Sequence, residues 1–140
     1  DYDMDGKVDM TNSINDGIAS VANYLKVHGW QKDKPAILPF EINDKFKDYN
    51  EDQIEAYNFP HKINNFRTRI NSEQMKVMDL TSLSFEGKAT PLFVVEGNES
   101  KLYLGFDNFI VITKYNRSSY YALVIHQLAL AISNEFNKSN

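Results

Sequence analysis

The amino end reads Asp1-Tyr-Asp-Met-Asp-Gly-Lys-Val-Asp9, with acidic side chains at positions 1, 3, 5 and 9 and glycine at 6. Four like charges so close together repel one another unless a cation lies between them. The spacing matches the first three-quarters of an EF-hand loop. In such a loop alternate side chains turn inward around one hard cation, and the glycine permits the sharp turn. Lys7 can add its backbone carbonyl, and Val8 is the apolar residue that pins such a loop to a core. At position 12 the motif needs a bidentate carboxylate, and Asn12 stands there instead. Asp16, four residues later, can close a longer loop. A flexible, all-oxygen cage suits calcium better than magnesium. The plain alternative is a solvated acidic turn.

Beyond the loop, Ile18, Val21, Ala22 and Leu25 recur at helical spacing. The pattern predicts a helix from about Asn15 to His28, with Asp16 at the N-cap position and Gly29 as its stop. Two prolines around Ala36-Ile37-Leu38 mark a linker into a short edge strand. Residues 49–58 are polar and mildly helical until Pro60 breaks them, and Asn71-Ser72-Glu73-Gln74 opens a short helical turn. Val77–Phe85, Thr90–Glu96, Lys101–Phe106 and Phe109–Tyr115 read as strands, the middle two joined as a hairpin through Gly97-Asn98-Glu99-Ser100. Ser118 or Ser119 can cap a final helix carrying Ile125, Leu128, Ala129, Ile132 and Phe136, followed by a polar tail. Helix, β-rich middle, helix makes an α+β chain.

The 140 residues suit one ordinary domain, and an apolar fraction of 42% fits a globular one. A net charge of −4 without a basic run argues against nucleic acid as a partner. With no cysteine, disulfides, thiolate catalysis and cysteine-bound zinc are excluded. No apolar run reaches the length of a membrane span, and no signal peptide is visible. The chain opens already inside the ligand loop, so a preceding segment is expected. Eight of the aromatics are tyrosines, which serve cores and also line grooves for sugars.

After the acidic loop, Asp16-Gly-Ile-Ala-Ser-Val-Ala-Asn-Tyr-Leu-Lys-Val-His-Gly-Trp30 closely resembles the lytic murein transglycosylase B family, glycoside hydrolase family 103. A second block, Leu104-Gly-Phe-Asp-Asn-Phe through Ile112-Thr-Lys-Tyr-Asn-Arg-Ser to Tyr121-Ala122, is similar to that family's closing segment. The resemblance implies an EF-hand-like calcium loop and core helix at 1–32, an antiparallel β-rich inserted domain at 33–105, and a return to a lysozyme-like core at 106–140. It also implies cleavage of the β-1,4 bond between N-acetylmuramic acid and N-acetylglucosamine in peptidoglycan. The muramyl 6-hydroxyl attacks its own anomeric carbon, giving a 1,6-anhydro end, while one glutamate acts first as acid and then as base.

That glutamate would precede Asp1, because none of Glu41, Glu51, Glu55, Glu73, Glu86, Glu96, Glu99 or Glu135 stands in a matching context. Residues 1–140 alone are therefore expected to be inactive. The resemblance further implies structural calcium held by Asp1, Asp3, Asp5, the Lys7 carbonyl and Asp16, and a sugar groove lined by Tyr24, Tyr115, Asn116 and Tyr121. It points to a monomer acting on glycan strands in the periplasm or from an outer-membrane anchor. Read from the residues alone, Tyr24 can instead be core, Asn116 can be a turn or cap residue, and Arg117 is a solvated charge. His28 and Trp30 read as packing residues, and His61 and His126 lack zinc-ligand spacing. A calcium-stabilised module that holds glycan without cutting it is the alternative, and a purely structural calcium domain is a third.

Overall fold

In a computed structural model, residues 2, 4–7, 9–50, 52–53, 65–81 and 83–138 are described. Asp1, Asp3, Val8, Pro60 and His61, singled out above, lie outside them, as does most of the mildly helical stretch at 49–58.

Helix α1 spans Ile14–Val27. Its cap is Ser13, whose Oγ accepts the Asp16 N–H at 3.2 Å, and not Asp16 as expected. Asp16 lies one turn further in, with its carboxylate directed back at the preceding loop. The other end closes as a Schellman turn: Trp30 N–H reaches the Leu25 carbonyl at 2.9 Å and Gly29 N–H the Lys26 carbonyl at 3.1 Å. Gly29 takes φ +100°, which favours glycine there. The apolar stripe of α1, expected to face the core, stands open instead, with Ile18 65% exposed. Asp16 is the helix's buried residue.

Strand β1 (Ile37–Phe40) is an edge strand and carries Pro39, which a central strand would not tolerate. A 3-10 turn (Asp44–Phe46) follows, capped by Asn43. Helix α2 (Ser72–Val77) begins with a reciprocal capping box between Asn71 and Gln74. The strand expected at Val77–Phe85 does not form in the described residues. The capping box carries the helix through Val77, and Asp79 then turns the chain at φ +57°. Asp79 is held there by the Asn43 side chain and by Lys45.

The hairpin of β2 (Thr90–Glu96) and β3 (Glu99–Gly105) is present, with a tighter turn than expected. Glu96 pairs with Glu99, leaving Gly97-Asn98 as a two-residue connection with Gly97 at φ +65°. The sheet order is β1-β3-β2, antiparallel throughout. Phe93, Leu102 and Leu104 face one core with Phe46, Ile70, Met75 and Leu80. Leu92 and Ile37 face a second core with Phe109, Ile112, Ala122 and Leu123.

The second core is built by α3 (Asp107–Tyr115) and α4 (Ser119–Lys138). Residues 109–115 were expected as a strand and are helical. Asn108, Phe109, Val111, Ile112 and Thr113 are all buried, and this tertiary burial overrides the β preference of the Val and Ile side chains. Gly105 makes the sheet-to-helix corner possible: a Cβ there would lie 2.6 Å from Phe109 Cγ. Ser118 Oγ accepts the Tyr121 N–H at 3.2 Å, so Ser118 is the cap of α4. Only the first turns of α4 are buried, and Leu128, Ile132 and Phe136 stay exposed. The class is a mixed helix and small antiparallel sheet arrangement, α+β as expected.

Candidate functional site

Three segments converge beside the open side of α1. Tyr24 comes from α1, Tyr115 from the last position of α3, and Tyr121 from the first turn of α4. The Tyr24 and Tyr115 ring centroids lie 5.6 Å apart and edge-on, and Tyr115 and Tyr121 stack at 6.3 Å. His28 lies flat against Tyr24 at 3.9 Å, and its Nδ1 meets the Tyr24 carbonyl at 2.8 Å. These rings line an apolar cleft of about 750 Å³ that also takes in Trp30, Val21, Ile112 and Ile125. Tyr115 remains 67% exposed, an unusual placement for a ring that served packing alone.

Of the four residues expected to hold glycan, the three tyrosines therefore meet. Asn116 is the C-cap of α3; its N–H reaches the Ile112 carbonyl at 3.4 Å, and its side chain is not part of the cleft wall. Two polar ties set the spacing of the rings. Asn108, fully buried, accepts the Gln31 N–H at 2.8 Å and donates to the carbonyls of Gln31 and Lys34, both at 2.8 Å. Lys114 Nζ donates to the His28 carbonyl at 2.8 Å, which places a cation at the C-terminal end of α1.

A second cleft of about 630 Å³ shares Tyr24 and His28 with the first. Phe66, Ile110 and Thr113 form its apolar and neutral wall, and Arg67, Arg69, Lys114 and Arg117 supply four cations. Arg69 bonds Asp107 at 2.7 Å and the Lys88 carbonyl at 2.6 Å. Neither cleft is lined by a carboxylate among the described residues. Arg67 and Arg69 carried no motif in the sequence, His28 had read as a packing residue and Arg117 as a solvated charge, and Lys114 stood in the second resembling block without a role assigned to it.

The loop before α1 is arranged around Asp16, which is 1% exposed. Its two carboxylate oxygens accept the Tyr2 N–H at 2.6 Å and the Asp9 N–H at 2.9 Å. Gly6 takes φ +86°, and Asp5 accepts the Lys7 N–H at 2.8 Å in a turn of the kind a ligand loop uses. Asp9 turns away from this centre, accepting from the Thr11 and Asn12 N–H groups and from Asn12 Nδ2. Those bonds hold its carboxyl below the usual range, the Asn12 side chain contributing most. Among the described residues no group of three His, Asp or Glu side chains is placed to hold a metal.

The loop before α1, α1 itself and the closing helices α3 and α4 all border one aromatic cleft. Residues 1–130 match the family model described as Transglycosylase SLT domain, and the chain belongs to that family. It is 31% identical over 137 residues to membrane-bound lytic murein transglycosylase B of Escherichia coli strain K12, covering 95% of this chain and 33% of that protein. The chain thus spans about a third of the length of the curated relative it matches. The structure of Escherichia coli lytic transglycosylase Slt35 in complex with calcium superposes with a TM-score of 0.74 at 27% identity, covering 96% of this chain and 39% of that one. SltB3 from Pseudomonas aeruginosa in complex with NAG-anhNAM-pentapeptide gives a TM-score of 0.61 at 28% identity, covering 88% of this chain and 31% of that one. No helix among the described residues is long and apolar enough to cross a membrane.

Proposed function

We propose that this chain forms one wall of the glycan groove of a peptidoglycan lytic transglycosylase. The supporting observation is the convergence of Tyr24, Tyr115 and Tyr121 on one open cleft from three separate segments. Tyrosine rings stack on the apolar faces of sugars, while their hydroxyls bond hydroxyl and acetamido groups. Asn116, one residue beyond Tyr115, is proposed to reach the same strand once it is bound. The division into 1–32, 33–105 and 106–140 belongs to the same reading, with the sheet as the inserted unit.

The reaction is cleavage of the β-1,4 bond from muramic acid to N-acetylglucosamine in the bacterial cell envelope. The muramyl O6 bonds to C1, the glycosidic C1–O bond breaks, and a glutamic acid protonates the departing oxygen and takes up the O6 proton. With no carboxylate lining either cleft among the described residues, that glutamate is proposed to come from outside residues 1–140. The chain by itself is then a glycan-holding module without turnover. Incubating it with purified peptidoglycan and finding 1,6-anhydro products would overturn this assignment.

Calcium is proposed to brace the loop. Asp5, the Lys7 carbonyl and Asp16 would hold it together with Asp1 and Asp3. The buried Asp16 carboxylate and the Gly6 turn suit such a site, and an all-oxygen donor set is the chemistry calcium takes. The ion supplies charge neutralisation only and enters no chemical step.

Trp30 is the one tryptophan in the sequence and lies in the cleft, so its fluorescence reports binding there. Titration with chitotetraose should change Trp30 emission saturably, and Tyr115→Ala should weaken binding about tenfold, as expected for losing one stacked ring. An unchanged affinity in Tyr115→Ala would overturn the groove assignment.

A further inference from the structure

We propose that the cleft of Arg67, Arg69, Lys114 and Arg117 is a carboxylate subsite that reads the acidic substituent carried by the glycan strand. The inference rests on the glycan-groove reading and deepens it, because Tyr24 and His28 form a wall common to both clefts. A sugar stacked in the aromatic cleft would therefore present its substituents to the cationic one.

Four cations around about 630 Å³, with no lining carboxylate among the described residues, are out of character for a chain of net charge −4. Packing does not require them all. Arg69 is tied to Asp107, and Lys114 to the His28 carbonyl. Even so, the Arg69 Nε–H is buried with no acceptor among the described residues, which leaves part of that guanidinium uncompensated despite Asp107. Among the described residues Arg67 and Arg117 have no carboxylate partner. Arg67 lies 5.5 Å from the Phe66 ring centroid, an arrangement that orients a guanidinium without neutralising it. Planar guanidinium groups suit carboxylates, which they bond in pairs. Phosphate-rich polymers are disfavoured, because the acidic remainder of the chain repels a long polyanion. A single carboxylate next to a neutral sugar meets both conditions.

Two sources share this chemistry: the free lactyl carboxylate of muramic acid and the carboxylates of a peptide stem, which consumes the lactyl group as an amide. Three ligands separate them in a two-dimensional NMR titration of the 15N-labelled chain, a method that reads millimolar affinities. They are chitobiose, GlcNAc-MurNAc and GlcNAc-MurNAc-pentapeptide. At least one acidic ligand should bind about tenfold more tightly than chitobiose, the scale of two or three partly exposed ion pairs. Whichever ligand shows the preference names the source. The advantage should shrink as salt rises. The double variant Arg67→Gln, Arg117→Gln should abolish it and leave chitobiose affinity unchanged, since neither side chain holds the fold together.

Equal affinity for all three ligands would overturn the subsite while leaving the glycan groove standing. So would a double variant that weakens them all alike. Absence of binding by every ligand would overturn the groove and the subsite together. Tyr115→Ala separates the two claims, since it should weaken all three ligands and preserve their ratio.

Discussion

Replacing Asn108 with alanine tests how the cleft is held. The amide is wholly buried and makes three hydrogen bonds of 2.8 Å to the backbone of Gln31 and Lys34, 74 to 77 residues away in sequence. Each such bond contributes about 1 kcal/mol net. The groups left behind lie on an exposed stretch where water can reach them, so the full penalty for stranded buried groups does not apply. The expected loss is therefore about 3 kcal/mol. With a urea dependence of roughly 2 kcal/mol per molar, the unfolding midpoint should fall by about 1.5 M.

Trp30 emission and far-ultraviolet circular dichroism follow the same transition from two viewpoints. Asn108→Asp makes the comparison sharper. It keeps the oxygen facing Gln31 N–H but aims a second oxygen at two carbonyls, so it should be at least as damaging at neutral pH. If both variants lose less than about 1 kcal/mol, or if the aspartate variant matches the wild type, the amide is not what fastens α3 to the segment after α1.

Gly105→Ala should destabilise by about 1–3 kcal/mol in the same assay, because the added methyl would lie 2.6 Å from Phe109 Cγ. Addition of calcium should raise the melting temperature by several degrees at about a hundredfold excess over Kd. Asp5→Ala should abolish the rise, whereas Asp9→Ala should keep it, since Asp9 is engaged by Thr11 and Asn12. His126, partly buried in α4, has its pKa lowered by desolvation. Its folded pKa lies below the unfolded value, so the unfolded chain binds the proton first and stability falls as pH drops below about 6.5. His126→Gln should flatten that limb of a melting-temperature profile, and an unchanged profile would refute the assignment.

The elements legible in the sequence were those whose signals are local. The α1 stripe, the hairpin around Gly97, the short helical turn opening at Asn71 and the serine before α4 all announce themselves within a few residues. The stretch at 109–115 misled because Ile110, Val111 and Ile112 favour strands, while the decisive facts were burial on several sides and a helix launched at Asp107 directly after β3. The spacing of Asn108, Phe109, Ile112 and Thr113 did carry a helical period beneath that composition. At the site, the tyrosines were recognised through family resemblance. Arg67 and Arg69 come from a segment without a motif, and only the folded chain brings them beside Tyr24. Asn108 was illegible for a different reason, since its partners are backbone groups that exist at every residue.

Helix α3 joins two places that have little else in common. At one end Asp107 grips Arg69 and Phe109 seats itself in the space that Gly105 leaves open; at the other stands Tyr115. Nine residues make a rod about 13 Å long. A tilt of about 5° at the sheet corner would swing the far tip by about 1 Å at that length. Corner and tip thus form one mechanical member, so the aim of the Tyr115 ring is set in part at the glycine.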